Sequence, residues 1–355
     1  MNPRITFSRT MCNYVVGFIH IFSVFSLFTH MRGSCEYLFW IDVMDSARIA
    51  MPTLFLISGY LAFKNFELTT YPKKLLQKLR RLFVPYCLWN VLYLTMGIIL
   101  VTVGGGATES LKSQGWISWC WNNLFSFTSD PACSPFWYIR ALMIYSVFVP
   151  VMNLIFCNGG LIGYVVALVG WVIIMNLTGL DKICWMTYPA YSVLCFGAGG
   201  VVSMLKIELF VKRRLFNYAL ILVGVVAFAL YKAIVWHYGD ANIVGWLGVL
   251  LDIIRLFECS FIVGVSGLVT DRLKESWLFK KLTESSFVFY ASHLGILMLV
   301  LPFVAKTMTS LSKASGILSI TIVIGLMLSI AVSAIVDFSL RRYVPWGHKL
   351  LTGGR

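Results

Sequence analysis

The sequence predicts an all-α fold, a polytopic membrane helix bundle of about ten transmembrane helices with both termini cytoplasmic. Three observations predict it. Hydrophobic residues make up 59% of the 355 positions and charged residues only 12%, about half the charged share of a soluble domain. Apolar runs of about 20 residues recur from one end of the chain to the other, and in hydrocarbon such runs fold as helices to satisfy their own backbone. The Lys and Arg residues behind the net charge of +14 fall in short clusters between the runs, not in one domain interleaved with aromatics. That pattern orients membrane spans and argues against a nucleic-acid partner.

The first span, roughly 9–29, has Arg9 at its mouth and His20 in its middle. Its length and the absence of a small-residue cleavage site mark a retained span, not a signal peptide. The second, roughly 42–63, opens with Asp42 and Asp45 and carries Ser58-Gly59 near its other end. The third, roughly 82–103, follows the basic stretch Lys73, Lys74, Lys78, Arg80 and Arg81. A loop over 104–134 begins with three glycines and holds Trp116, Trp119 and Trp121, which read as headgroup anchors or as a sugar-stacking platform. Spans at roughly 135–156, 160–178, 188–204 and 216–235 follow. The eighth, roughly 246–270, contains Asp252, Arg255 and Glu258; the ninth, roughly 284–304, contains His293; the tenth is roughly 317–338.

With the N-terminus inside, the inner segments hold 20 Lys and Arg, the outer loops five, and the spans the remaining four of the 29. The bias repeats at every inner loop, so the positive-inside rule favours an even number of spans in a multi-pass inner (plasma) membrane protein. No soluble domain, repeat or low-complexity tail is apparent, and residues 1–355 read as one membrane-embedded domain. The nine cysteines include no C-x-x-C pair, and most sit in apolar runs as small packers. Cys35, Cys120, Cys133 and Cys184 fall in predicted outer loops, where one disulfide is open.

The candidate chemistry starts with Arg9 and His20. Eleven residues are close to three helical turns, so the two share one face about 16 Å apart. An ionisable group carried into hydrocarbon is costly and marks function, although a neutral histidine can also be satisfied by a single hydrogen bond to a neighbouring helix. Arg80 and Arg81 are guanidinium groups matched to phosphate, or ordinary inner-face charge. Arg140, flanked by Trp137 and Tyr138, requires a cavity or a partner, as an oxyanion or acceptor-side group or in an ion pair. His293 is a second buried imidazole. Asp252, Arg255 and Glu258, spaced along one helix, form a self-neutralised network or line an acceptor cavity. Ser58-Gly59 offers a hydroxyl and a close backbone approach, or plain small-residue packing. Zinc spacings, Walker loops and nucleophile elbows do not occur, so a metal site has no support.

These residues also carry a resemblance. Arg9-x10-His20 resembles the R-x10-H signature in the first helix of the acyltransferase-3 family. Met51-Pro52-Thr53-Leu54-Phe55-Leu56-Ile57-Ser58-Gly59-Tyr60-Leu61 resembles its P-x-F-F-x-I-S-G-Y/F-L, and Arg80-Arg81-Leu82-Phe83-Val84-Pro85-Tyr86 its R-R-x-x-x-P-Y/F. Pro135-Phe136-Trp137-Tyr138-Ile139-Arg140 with Pro150, and Ser286-Phe287-Val288-Phe289-Tyr290-Ala291-Ser292-His293, are similar to two further family stretches in family order.

The resemblance implies a stand-alone membrane O-acyltransferase that moves an acyl group, usually acetyl, from cytoplasmic acetyl-CoA as co-substrate to a hydroxyl of a periplasmic or cell-surface carbohydrate or glycolipid. It implies donor binding by Arg9, Arg80, Arg81 and Ser58, and catalysis by His20, Arg140 and His293. Trp137, Asp252, Arg255 and Glu258 would line the acceptor side. General-base and acyl-histidine mechanisms both fit these residues. The competing class is a proton-coupled transporter or flippase of a glycan-related substrate, for which inverted repeats would speak.

Overall fold

A computed structural model describes residues 2–26, 35–64, 66–103, 117–118, 121–122, 131–178, 190–239, 245–311 and 317–354. Among the described residues there is no strand, and helix covers each predicted span: α1 Pro3–Ser26, α2 Cys35–Ala47, α3 Ala50–Phe63, α4 Tyr71–Val103, α5 Trp137–Thr178, α6 Ala190–Met204, α7 Arg214–Tyr238, α8 Trp246–Leu273, α9 Trp277–Leu311 and α10 Ile317–Tyr343. A short 3-10 turn, Ser134–Phe136, precedes α5, and a terminal α11, Pro345–Thr352, closes the chain. Most of the 104–134 loop, with Trp116, Trp119 and Cys120, lies outside the described residues, as does Cys184; Trp121 is described and exposed. Cys35 and Cys133 are free thiols.

By length and apolarity alone, five helical segments among the described residues are able to cross a membrane: Cys35–Phe63, Tyr71–Ile99, Ser134–Thr178, Arg214–Tyr238 and Leu318–Tyr343. The apolar α6, at 15 residues, is shorter. Helices α1, α8 and α9 bury part of their polar side chains inside the bundle, among them Ser8, Arg255, Glu258 and His293.

Two local departures from simple spans have chemical causes. The second predicted span is two helices, α2 and α3, hinged at Arg48-Ile49. Pro52 lacks an N–H and its ring crowds the carbonyl four residues earlier, so the hydrogen-bond ladder is interrupted there while Ile49 keeps helical angles, φ −61° and ψ −17°. The fourth and fifth spans join at Gly160, whose φ of 60° and ψ of −164° suit only glycine. The chain doubles back there, bringing the ring of Phe156 within 5.9 Å of that of Tyr164.

Helix α3 is the axis of the bundle, with 11 of its 14 residues buried. Such a helix is apolar all round and needs neighbours on every side. Helix α6 presses closest: a Cβ at Gly59 would stand 1.8 Å from the Phe196 carbonyl oxygen, and one at Gly199 would stand 2.0 Å from that of Leu56. Lipid gives helices no hydrophobic drive to associate, so small residues that allow backbone contact hold such crossings together. The same device joins α7 to α8 at Gly224 and Gly264.

Candidate active site

Helices α1 and α9 run side by side and parallel, zipped by polar contacts. Thr10 donates to Thr283 at 3.4 Å and the Asn13 amide donates to the Ser286 carbonyl at 3.5 Å, each pair 273 residues apart. Tyr14 donates to the Leu282 carbonyl at 3.0 Å. Gly17 leaves room for the Phe289 ring, which sits 4.5 Å from the Tyr14 ring and stacks on His293 at 5.5 Å. The same register carries His20 to His293, with ring centroids 5.3 Å apart and planes inclined by 37°.

His293 is wholly buried. Its Nδ1 lies 3.0 Å from the Phe289 carbonyl oxygen, which can only accept, so Nδ1 carries the proton. In the neutral ring Nε2 is then a lone pair, and it has no hydrogen-bond partner. A nitrogen-to-nitrogen bond between two imidazoles sets their centroids roughly 5 Å apart, so a modest turn of His20 brings its N–H to that lone pair.

His20 lines a cavity of about 270 Å³. Val16 and Ile19 join it from α1, Arg48 from the hinge, Met51 and Pro52 from α3, Pro135 and Trp137 from the start of α5, Tyr191 from α6 and Arg255 from α8. The buried Arg255 is fixed on two sides, by Glu258 at 2.9 Å and by the Tyr231 ring 3.9 Å from its guanidinium carbon. Of the predicted acceptor-side residues, Trp137 and Arg255 reach this wall. Glu258 stands behind Arg255, and Asp252 accepts from Asn176 of α5 at 2.8 Å. Asp42 and Asp45, at the rim, are tied to Lys232 of α7 at 2.7 and 2.9 Å.

Arg140 is buried one turn beyond Trp137 and does not line the cavity. Ser58 is engaged by the Tyr138 hydroxyl at 2.7 Å, a bond between α3 and α5.

At the other end of α1, Arg9 is half-buried and close enough to Lys78 of α4 and to Cys12 to act on both electrostatically. Arg80 and Arg81 point outward and are exposed. Two further cavities open at this end. One, of about 630 Å³, includes Asn2, Lys64, Phe66 and Lys206 in its walls. The other, of about 200 Å³, includes Lys64, Phe66, Lys74 and Lys78. Lys64 and Phe66 thus belong to both, and Lys78 links the smaller one to Arg9.

Sequence reasoning missed Arg48, Tyr191, Lys64 and Lys206 as cavity-lining groups. Arg48 is a cation within a predicted span, a signal that could have flagged it; Tyr191 has none, because only the helix packing brings it to the wall. No cluster of metal-ligating side chains occurs among the described residues.

The family model described as an acyltransferase domain matches residues 8–336, from just before Arg9 to near the end of α10. No curated protein and no solved structure gives a match.

Proposed function

Because the chain belongs to the acyltransferase-3 family, we propose that it is a membrane O-acyltransferase, with acetyl-CoA as donor and a hydroxyl of a periplasmic or cell-surface carbohydrate or glycolipid as acceptor. One observation carries the reading: His20 and His293 face each other 5.3 Å apart beside a cavity that His20 lines. In this reading both termini lie in the cytoplasm and the protein sits in the inner (plasma) membrane, as the Lys and Arg bias favours.

The donor approaches from the Arg9 end. Lys64, Lys74 and Lys78 line the smaller cavity there, and Arg9 stands beside Lys78, so phosphate groups find several cations within one vestibule. Arg80 and Arg81 offer further charge at its surface. The thioester is presented toward His20 along the stripe of α1 that Arg9, Val16 and His20 share.

His20 accepts the proton of the acceptor hydroxyl as its oxygen attacks the thioester carbonyl carbon. His293 holds His20 in one orientation by offering Nε2 to its N–H, which steadies the imidazolium that forms. Arg255, on the cavity wall, and Arg140, buried one turn beyond Trp137, supply positive charge for the tetrahedral oxyanion. Collapse expels the thiolate, which takes the proton back from His20 and leaves as thiol. An acyl-histidine route uses the same residue as nucleophile.

The test is acyl transfer from radiolabelled acetyl-CoA to membrane glycans by purified, reconstituted protein. His20→Ala and Arg9→Ala are each expected to abolish transfer and thiol release while still inserting and melting like wild type. An active His20→Ala protein overturns the mechanism. Glycan movement without thioester consumption identifies a transporter.

A further inference from the structure

Among the described residues, the ionisable side chains lining the His20 cavity are His20, Arg48, Tyr191 and Arg255, and none of these described wall residues is a carboxylate. The acids nearby are committed behind that surface. Glu258 holds Arg255 at 2.9 Å, Asp252 accepts from Asn176 at 2.8 Å, and Asp45 accepts from Lys232 at 2.9 Å. Glu258 occupies one edge of a guanidinium that has five N–H donors, and the Tyr231 ring covers its face. Arg255 is therefore held in place before any ligand arrives, so little ordering cost remains on binding.

Arg48 is differently placed. It reaches Asp45 only at 3.6 Å, longer than a hydrogen bond, and its side chain is 48% exposed at the mouth. Both guanidiniums lie close enough to the Tyr191 phenol to act on it electrostatically. Two planar forks on the walls of one small cavity suit an oxyanion group such as a carboxylate or phosphate. At about 270 Å³ the cavity falls just short of the roughly 300–1,000 Å³ of drug-sized sites, which suits one sugar ring, with Trp137 as its apolar wall. The buried Arg255–Glu258 pair is not explained by stability alone, since apolar replacements of such pairs are often as stable.

We propose that the acceptor end of the site selects an anionic saccharide unit, one carrying a carboxylate or phosphate on the same ring as the hydroxyl that is acylated. This rests on the acyltransferase reading and names its substrate class.

The experiment measures calorimetric binding of methyl glucuronide, glucose 6-phosphate and methyl glucoside to the full-length protein in lipid nanodiscs, with thiol release from acetyl-CoA followed in parallel. At least one of the two anions binds about tenfold or more tightly than methyl glucoside, as expected for hydrogen bonds to a charged group. Preference for the glucuronide assigns the group as carboxylate, and preference for the sugar phosphate assigns it as phosphate. Arg48→Gln, at an exposed position, reduces the preference several-fold. The double variant Arg255→Gln/Glu258→Gln, which leaves no lone buried charge, does the same. Equal binding of charged and neutral sugars, binding of none of the three, or a preference that survives both variants overturns the proposal. Absence of thiol release from wild type, with membrane glycans present as acceptor, sinks the acyltransferase reading instead. The binding comparison is read independently of it.

Discussion

Arg255 and Glu258 show how much of a site can be read one residue at a time. Three intramembrane charges at i, i+3 and i+6 announce that something polar lies inside this part of α8, because lipid does not tolerate them. The sequence does not say which of the three faces the cavity. That depends on Asn176, far away along the chain, which draws Asp252 toward α5, and on Tyr231 of α7, which covers Arg255. Glu258 is 1% exposed and bonds Arg255 with one oxygen, while the other has no partner. Glu258→Gln strands the guanidinium, and breaking a buried pair from one side costs about 3–5 kcal/mol. The expected result is a clear drop in thermal stability, largely recovered in Arg255→Met/Glu258→Leu, with a large coupling in the double-mutant cycle. Additive losses across the cycle would show that the pair does not act as a unit. Arg9 and His20 were legible for the same reason of charge in an apolar run, whereas Tyr191 was not, since a tyrosine at a helix start is unremarkable until neighbours surround it.

Helices bring these side chains together through registers that composition does not encode. His20 and His293 meet because Thr10, Asn13 and Tyr14 fasten α1 to α9 two to three turns earlier. Both imidazoles are candidates on sequence, with His293 read as orienting His20 or binding the donor, but the register that joins them is not readable, since polar residues in an apolar run reveal a face and not its partner. Gly17 is the tightest point of that seam. A Cβ there would stand 2.3 Å from Phe289 Cζ, and the ring cannot yield freely between Tyr14 and His293. Gly17→Ala is expected to cost about 1–3 kcal/mol by overpacking and to lower transfer more than stability, because it shifts one imidazole against the other. Adding Phe289→Leu relieves the crowding and restores part of the melting temperature. If Gly17→Ala keeps full activity, the register does not govern the pair.

At the scale of the molecule, helix type and approximate span positions were legible from hydropathy, and the bundle's packing was not. Runs near 20 residues and basic clusters are properties of the chain alone. The central place of α3 follows from Gly59 meeting α6, a fit between two surfaces. The interruption at Arg48-Ile49 is traceable to Pro52, and Arg48 beside it lines the cavity. Orientation is the expectation most open to a direct measurement. Protease-sensitive tags fused at either end of the chain are both expected to be protected in intact cells and cleaved after lysis. Cleavage of the N-terminal tag in intact cells would reverse the assignment of the Arg9 end to the cytoplasm, and cleavage of the C-terminal tag alone would mean an odd number of crossings.

Gly160 bears on how the protein is made. Its two flanking arms share a single reversing residue and no connecting loop. With no hydrophilic tether between them, the two arms are expected to enter the bilayer together, as one hairpin, rather than one after the other. One glycine thereby couples the entry of one arm to that of the other.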